Sequence, residues 1–270
     1  MLNFANGVRA DILKMIHNAK SGHPGGALSC VDALCVLYKK VLNVPLEWKN
    51  SPDFNKRDKF VLSKGHASTA LYATLAHCGY FSKDLLRGFR ILGSKLQGHP
   101  SSCVGLEGIE VSTGSLGQGL SIGVGLALAM RLDAIDSKVF VLMGDGEMQE
   151  GSVWEALMNA NSQKLDNLVV LIDKNNLQID GNVNDIKTLE PLDKKLEAFG
   201  FEVKSIDGHD YDELEKTFKE AKEQKTLQAI ILNTIKGKGV SFMENNAAWH
   251  GTAPSLEQCE EAIKYLGGNR

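Results

Sequence analysis

The sequence lacks the patterns by which disulfide-rich, zinc-binding and secreted proteins are recognised. Its five cysteines are odd in number and form no Cys-x-x-Cys pair, so neither a disulfide framework nor a zinc cluster is expected. The N-terminal segment MLNFANGVRADILKMIHNAK carries charges throughout and has no apolar core, unlike a signal peptide. We therefore expect reduced thiols in a cytoplasmic protein.

Long hydrophobic runs and a strong excess of one charge are also missing. The longest apolar window, LSIGVGLALAM (Leu120–Met130), is too short to span a bilayer. The formal net charge of −3 gives no electrostatic reason to bind nucleic acid or a membrane surface. We expect neither of these as a partner.

Three common nucleotide and metal motifs are absent. The sequence contains no Gly-x-Gly-x-x-Gly, no lysine-containing phosphate loop of the Walker type and no His-Glu-x-x-His. These absences disfavour a nicotinamide enzyme, a P-loop NTPase and a zinc hydrolase.

The pattern that is present alternates strands and helices. Helical spacing marks the segments FANGVRADILKMIHNA (4–19) and CVDALCVLYKKVL, and further helical stretches cover 152–163, about 190–199 and 211–224. Five short apolar runs predict strands: FVLS (60–63), VFVLM (139–143), LVVLID (168–173), FEVKSI (201–206) and AIILNT (229–234). Alternation of this kind predicts an α/β fold with a doubly wound parallel sheet flanked by helices, in one domain over 1–270.

Polar and glycine-rich segments follow these strands, where ligands bind in open parallel sheets: KGH, GDGE, KNN and IKGKG. Asp145 follows one strand and Asn175 follows the next, one βαβ unit later. Oxygen ligands of this kind suit Mg²⁺ or Ca²⁺, and Gly144 and Gly146 let backbone N–H groups approach an anion. An isolated Asp-Gly is more often a plain turn, but its place at a strand end favours a metal and diphosphate site.

Four histidines lie beside glycine or proline in turn-like segments, which suggests a polar cleft. They are His23, His66, His99 and His250, and their rings could bind hydroxyls or phosphate and move protons. The other three, His17, His77 and His209, are interpreted as surface or structural residues. In the glycine-rich segment STGSLGQGLSIGVG, we expect residues 114–117 to reach a flat ring and Gly123 and Gly125 to serve helix packing.

Together these motifs resemble the N-terminal part of transketolases, the thiamine-diphosphate-dependent enzymes that act on sugar phosphates. The similarity covers nearly the whole chain, through SGHPGG, LSKGHASTALYA, GHP, STGSLGQGLS, GDGEMQEGSVWEA, DKNNLQIDG, IKGKGVSFMEN and WHG. It implies the thiamine diphosphate-binding fold and, specifically, its diphosphate-binding domain. It also implies thiamine diphosphate with Mg²⁺ (or Ca²⁺) as cofactors.

The resemblance implies a role for each matching residue. Asp145, Asn175 and the Leu177 carbonyl would hold the metal. The cofactor would be bound by His66, Gly114, Ser115, Leu116, Gly146, Asn175 and His250. His23, His99 and His250 would bind sugar hydroxyls and assist proton transfer, and Glu150 would lie near the cofactor at a subunit contact. Ser115 stands where the family usually has proline.

Compared with full-length transketolases, the chain is short. It would lack the pyrimidine-binding domain with its catalytic glutamate and most residues that bind the substrate phosphate. We expect a naturally split N-terminal subunit rather than an engineered fragment. With a separate C-terminal subunit it would transfer a two-carbon ketol unit from a ketose phosphate to an aldose phosphate, as a homodimer within a heterotetramer.

Two alternatives stay open at this point. One is a related thiamine-diphosphate enzyme with another donor, either a modified or sulfonated sugar or a 2-oxoacid. The other is a non-catalytic module that binds metal or diphosphate, because a doubly wound fold does not by itself fix a function.

Overall fold

The computed structural model describes residues 1–44 and 54–267, arranged around a five-stranded sheet whose neighbouring strands are all parallel. The sheet has the order β1-β2-β3-β7-β6. Its strands are β1 (Lys59–Leu62), β2 (Val139–Gly144), β3 (Leu168–Lys174), β6 (Glu202–Asp207) and β7 (Gln228–Asn233), and a small antiparallel pair, β4 (Leu177–Gln178) and β5 (Gly181–Asn182), follows β3. All five strands predicted from apolar runs are confirmed.

The sheet is buried on both faces, which explains why its strands are continuously apolar. Val139 to Met143 of β2 are fully buried, and alternate side chains enter different cores. Phe140 and Leu142 pack with one hydrophobic cluster, whereas Val141 and Met143 pack with the other. This two-sided burial confirms the predicted doubly wound architecture.

Helices cover both faces. They are α1 (Leu2–Ala19), α2 (Pro24–Ser29), α3 (Val31–Val36), α4 (Ser68–His77), α5 (Gln118–Leu132), α6 (Gly151–Ser162), α7 (Val183–Lys187), α8 (Leu192–Ala198), α9 (Tyr211–Glu223) and α10 (Leu256–Leu266). Side chains of α1, α4 and α9 join the first core, and those of α5, α6 and α8 join the second. None of the helices in the described ranges is long and apolar enough to cross a membrane.

One predicted helix is divided. The segment CVDALCVLYKKVL forms α3 and then a π-helical turn, Leu37–Val41, rather than one continuous helix. The predicted stretches 152–163, 190–199 and 211–224 correspond to α6, α8 and α9. The predicted domain range 1–270 includes residues 45–53 and 268–270, which lie outside the described part of the chain.

Strand register brings the polar strand ends to one level. Gly144 of β2 pairs with Asp173 of β3, and Lys174 of β3 pairs with Asn233 of β7. The strands that precede Asp145 and Asn175 are therefore direct neighbours, as a shared site for these two residues requires. The turns after β1, β2, β3 and β7 meet at this carboxyl edge of the sheet.

Candidate functional site

The turn after β2 contacts the turn after β3 through Asp145. One carboxylate oxygen of Asp145 accepts from the Gly146 N–H (2.8 Å) and the other from the Asn176 N–H (2.6 Å). Asp145 is only 2% exposed. Burial and the nearby Asp173 carboxylate outweigh these two hydrogen bonds and raise the pKa of Asp145 to about 6. The ionised form of Asp145 is therefore disfavoured without a ligand, and a bound cation would stabilise it.

A buried ion pair lies beneath this turn. Lys64, directly after β1, donates from Nζ to the carboxylate of Asp173 and to the Gly26 carbonyl (2.7 Å). The Ser29 hydroxyl also donates to Asp173 (2.6 Å). Burial alone would raise the pKa of Asp173, but Lys64 and the hydroxyl donors outweigh it and hold that pKa below its usual range. The pair anchors the ends of β1 and β3 to α2.

Glu147 fixes the glycine-rich loop against the sheet. Its buried carboxylate accepts from the Gly117 N–H (3.0 Å), the Gly144 N–H (3.2 Å) and the Ser63 hydroxyl. The loop itself needs glycine, because Gly114 has φ +142° and a Cβ there would lie 2.8 Å from the His99 ring. One acid of the GDGE segment therefore positions residues 114–117.

Of the four histidines predicted to share a cleft, His23, His66 and His250 line it, and His99 lies beside His23. The His23 ring lies 5.4 Å from that of His66, 5.6 Å from that of His250 and 6.3 Å from that of His99. Burial, together with neighbouring cations, lowers the pKa of His23 and of His250 to about 4, and it lowers the pKa of His66 and His99 as well. At neutral pH each ring is uncharged, with one N–H donor and one acceptor nitrogen.

Lys236, just after β7, joins the histidines to the predicted metal turn. Its Nζ lies 3.0 Å from the Leu177 carbonyl and 3.0 Å from Nδ1 of His250. The ammonium donates to that ring nitrogen, so Nε2 of His250 carries the ring proton. Burial and the nearby Lys64 lower the pKa of Lys236 to about 8. A second cation close to Lys64 makes this end of the cleft attractive to an anion.

These groups line a cleft of about 340 Å³. Of the predicted site residues, His23, His66, Gly114, Leu116, Asp145, Gly146, Glu150, Asn175, Leu177 and His250 border it. Ser115 is exposed beside Leu116, and His99 adjoins the cleft through His23 and Gly114.

The residues fit the cofactors implied by the sequence. Asp145, the Asn175 amide oxygen and the Leu177 carbonyl are hard oxygen donors within one pair of turns, as Mg²⁺ prefers. No three His, Cys, Asp or Glu side chains in the described ranges form a metal-holding group, so a metal in this cleft would depend on the Asn175 amide and the Leu177 carbonyl in addition to Asp145. Two buried polar atoms that line the cleft, His23 Nδ1 and Gln178 Oε1, have no hydrogen-bond partner among the described residues. Buried polar groups normally have a hydrogen-bond partner, and a bound cofactor or substrate would supply one here.

Sequence reasoning gave no role to Lys64, Asp173, Glu147 or Lys236. Lys236 could have been found, because it lies in the segment IKGKG, which follows the last predicted strand. Asp173 was interpreted as the last residue of an apolar run, and only the fold reveals its pairing with Lys64. Gly123 packs on Val141 as expected, whereas no atom lies within 4 Å of a Cβ at Gly125, so the packing expected there does not occur among the described residues of this chain.

The sequence is similar to known proteins over almost its full length. Residues 2–270 match the family model of the transketolase thiamine diphosphate binding domain. A relative from Phocaeicola vulgatus, named as one subunit of an apulose-4-phosphate transketolase, is 44% identical over 95% of this chain and 90% of that protein. Another from a Clostridium species, named 6-deoxy-6-sulfo-D-fructose transketolase subunit SqwG, is 42% identical over 97% of this chain and 94% of that protein.

Solved structures agree with these relatives. The chain superposes on the crystal structure of transketolase from Campylobacter jejuni with a TM-score of 0.88 and 37% identity, over 98% of this chain and 42% of that one. Transketolase from Leishmania mexicana gives a TM-score of 0.91 with 33% identity, over 99% of this chain and 41% of that one. The chain thus spans about two fifths of these solved transketolases, and most of the proteins named as subunits.

Proposed function

This chain belongs to the family of transketolase thiamine diphosphate binding domains, and on that premise we propose that it is the N-terminal subunit of a split transketolase. With a separate C-terminal subunit it transfers a two-carbon ketol unit from a ketose phosphate to an aldose phosphate. The domain comprises 1–270 as one unit.

The observation that carries this proposal is the pairing of like charges at the carboxyl edge. Burial, with the Asp173 carboxylate nearby, raises the pKa of Asp145, and burial, with the Lys64 ammonium nearby, lowers the pKa of Lys236. The acids favour a bound cation and the lysines favour a bound anion in the same cleft. Thiamine diphosphate with Mg²⁺ supplies both, and the family supports that cofactor.

Individual residues then have distinct tasks. Asp145, Asn175 and the Leu177 carbonyl hold the metal, while His66, Gly146 and Lys236 bind the diphosphate. Gly114, Ser115 and Leu116 contact the cofactor rings. When bound, thiamine diphosphate supplies the carbon nucleophile that carries the two-carbon unit.

The histidines serve the sugar. His23 Nδ1 has no partner among the described residues, so it is free to bind a hydroxyl. His250 has its ring proton on Nε2, fixed by the Lys236 ammonium at Nδ1. The neutral rings of His23 and His99 each have one acceptor nitrogen that can hydrogen-bond a sugar hydroxyl and assist movement of its proton, whereas His250, whose Nδ1 already accepts from Lys236, donates from Nε2 to a sugar oxygen.

A partner subunit completes the site. The relatives named as transketolase subunits support this, because the chain covers nine tenths or more of them. The partner carries the pyrimidine-binding domain and the catalytic glutamate, and the assembly is a homodimer of this chain within a heterotetramer. The five free cysteines fit a cytoplasmic location.

A sulfonated ketose is the second candidate donor. It is favoured by the relative named for 6-deoxy-6-sulfo-D-fructose, whose identity to this chain, 42%, is close to that of the apulose-4-phosphate relative. The anionic group of the donor would be bound largely by the partner subunit. The cleft in this chain is therefore compatible with either donor.

The test is reconstitution. This chain is mixed with its partner subunit, thiamine diphosphate and Mg²⁺, and ketol transfer to ribose phosphate is measured with a ketopentose phosphate and with a sulfonated ketose as donors. We expect transfer only when both subunits and both cofactors are present. Transfer at full rate by this chain alone, or no calorimetric binding of thiamine diphosphate to the assembly, would contradict the proposal.

A further inference from the structure

A buried carboxylate that does not line the cleft accepts hydrogen bonds from three side chains. Asp32, at the start of α3, is 2% exposed. Its Oδ2 accepts from Arg9 (2.5 Å) and from Nδ1 of His209 (2.8 Å), and its Oδ1 accepts from the Tyr211 hydroxyl (2.7 Å). Burial would raise the pKa of Asp32, but these partners outweigh it and lower that pKa. The carboxylate is therefore charged and fully engaged.

Two of the three donors, His209 and Arg9, also hydrogen-bond the backbone of one loop. Nε2 of His209 accepts from the backbone N–H of Ile235 (2.9 Å). On the other side, Nε of Arg9 donates to the backbone carbonyl of Lys238 (3.1 Å). The loop that follows β7 is thus held before and after Lys236 by side chains that share one carboxylate.

The His209 ring has a defined tautomer. Because Nε2 accepts from a backbone N–H, the ring proton must be on Nδ1, where the Asp32 carboxylate accepts it. The sequence predicts a surface or structural role for His209, without a partner for its ring. In the fold it connects a buried acid to a backbone amide, and that amide belongs to the residue preceding Lys236.

We infer that Asp32, acting through His209 and Arg9, is the positioning centre for the loop that presents Lys236 to the cleft. Lys236 in turn contacts the Leu177 carbonyl and His250, so displacement of the loop disturbs the anion-binding end of the cleft. His209 and Arg9 are positioning residues, since neither borders the cleft. The effect on cofactor affinity rests on the function proposed above.

The test compares two substitutions of the same ring in the full chain. His209→Asn places its amide near Nδ1, so it keeps the bond to Asp32 and leaves the Ile235 N–H without an acceptor. His209→Gln places its amide near Nε2 and keeps that acceptor. We expect H209N to speed hydrogen exchange at the Ile235 amide by roughly five- to tenfold, with H209Q close to native.

Affinity is the second readout. By calorimetry on the assembly, H209N weakens thiamine diphosphate binding by roughly five- to tenfold, while kcat at saturating cofactor falls by a smaller factor than the affinity does. Tyr211→Phe is the matched control, since it removes a donor to the same carboxylate without touching the loop, and it should leave both readouts near native.

Unchanged exchange at Ile235 in H209N would overturn the inference, as would equal acceleration in Y211F. Should H209N fail to fold, faster exchange in H209Q than in Y211F would contradict it. If the native assembly bound no thiamine diphosphate, the proposed function and the affinity effect would both fall, whereas exchange in the ligand-free chain would still decide whether His209 holds the loop.

Discussion

The two ends of the same sheet use buried charge in opposite ways. At the amino edge, Lys138 donates from Nζ to the carbonyls of Asp166 (2.5 Å) and Gln224 (2.6 Å). Asp58 accepts from two backbone N–H groups and pairs with Lys222 (2.7 Å). Each of these charges has a protein partner of opposite polarity.

At the carboxyl edge, charges of like sign are held together. Asp145 has the Asp173 carboxylate nearby and Lys236 has the Lys64 ammonium nearby. Burial is the main cause that raises the pKa of Asp145 and lowers the pKa of Lys236, and the neighbouring like charge adds to it. The charged side chains at the amino edge are thus paired within the fold, whereas Asp145 and Lys236 at the carboxyl edge keep charge that a ligand can neutralise. Three substitutions test this distinction.

The largest effect on stability is expected from breaking the buried ion pair between Lys64 and Asp173, which is structural although it lies at the carboxyl edge. Asp173→Leu leaves the Lys64 ammonium buried without its counter-charge, and the free energy of unfolding should fall by about 3 to 5 kcal/mol. Urea denaturation of the ligand-free chain measures this. The double variant K64M/D173L should recover at least about 2 kcal/mol of the loss, and a loss below about 1 kcal/mol in D173L alone would disprove the structural role.

At the amino edge, Lys138→Met should cost stability without cost to binding. The substitution strands two carbonyl acceptors, so we expect a loss of about 1 to 3 kcal/mol and an unchanged affinity for thiamine diphosphate. Lys225→Met is the control, because its pair with Asp136 is exposed and should contribute less than about 0.5 kcal/mol. A weakened affinity in K138M would mean that the two edges are not functionally separate.

Asp145→Asn should stabilise the ligand-free chain, in contrast to the two substitutions above, which destabilise it. A carboxyl whose folded pKa is raised from 3.8 to about 6 loses stability as pH rises through that range, since the folded state disfavours the charge. At pH 7 the ligand-free variant should be about 2 to 3 kcal/mol more stable than native, and the difference should vanish below about pH 4. With Mg²⁺ and thiamine diphosphate the native protein gains stability and the variant does not. A less stable ligand-free variant at pH 7 would show that Asp145 is structural.

The sheet was predictable because its signal is local. Each strand is a run of apolar residues, and burial on both faces leaves no polar position to obscure it, as in Val139 to Met143. The helix after residue 30 was harder to predict. Its apolar spacing does not distinguish an α-helix from the π-helical turn that begins at Leu37.

The site was predictable only where its residues follow strands or lie in turns. Asp145, Asn175 and the four histidines lie in polar or glycine-rich turns, so position alone singled them out. The pairing of Lys64 with Asp173, and the chain from Asp32 through His209 to Ile235, join residues far apart in sequence. Periodicity carries no information about such contacts, which exist only once the strands are ordered.

The smallest effect concerns α5, which packs along β2 of the sheet. Gly125 is exposed in the interior of this helix, and a methyl group placed on its Cα would have no atom within 4 Å. Gly125→Ala should therefore raise the stability of the isolated chain by about 0.5 kcal/mol, since alanine loses less backbone entropy in a helix.

Gly123→Ala is the matched control, because its Cβ would lie 2.4 Å from Val141, and it should destabilise by about 1 to 3 kcal/mol. Thermal unfolding of both variants measures the difference. A loss of stability in G125A only in the assembly would mean that a neighbouring subunit packs against this position, and a loss in the isolated chain would contradict the open face.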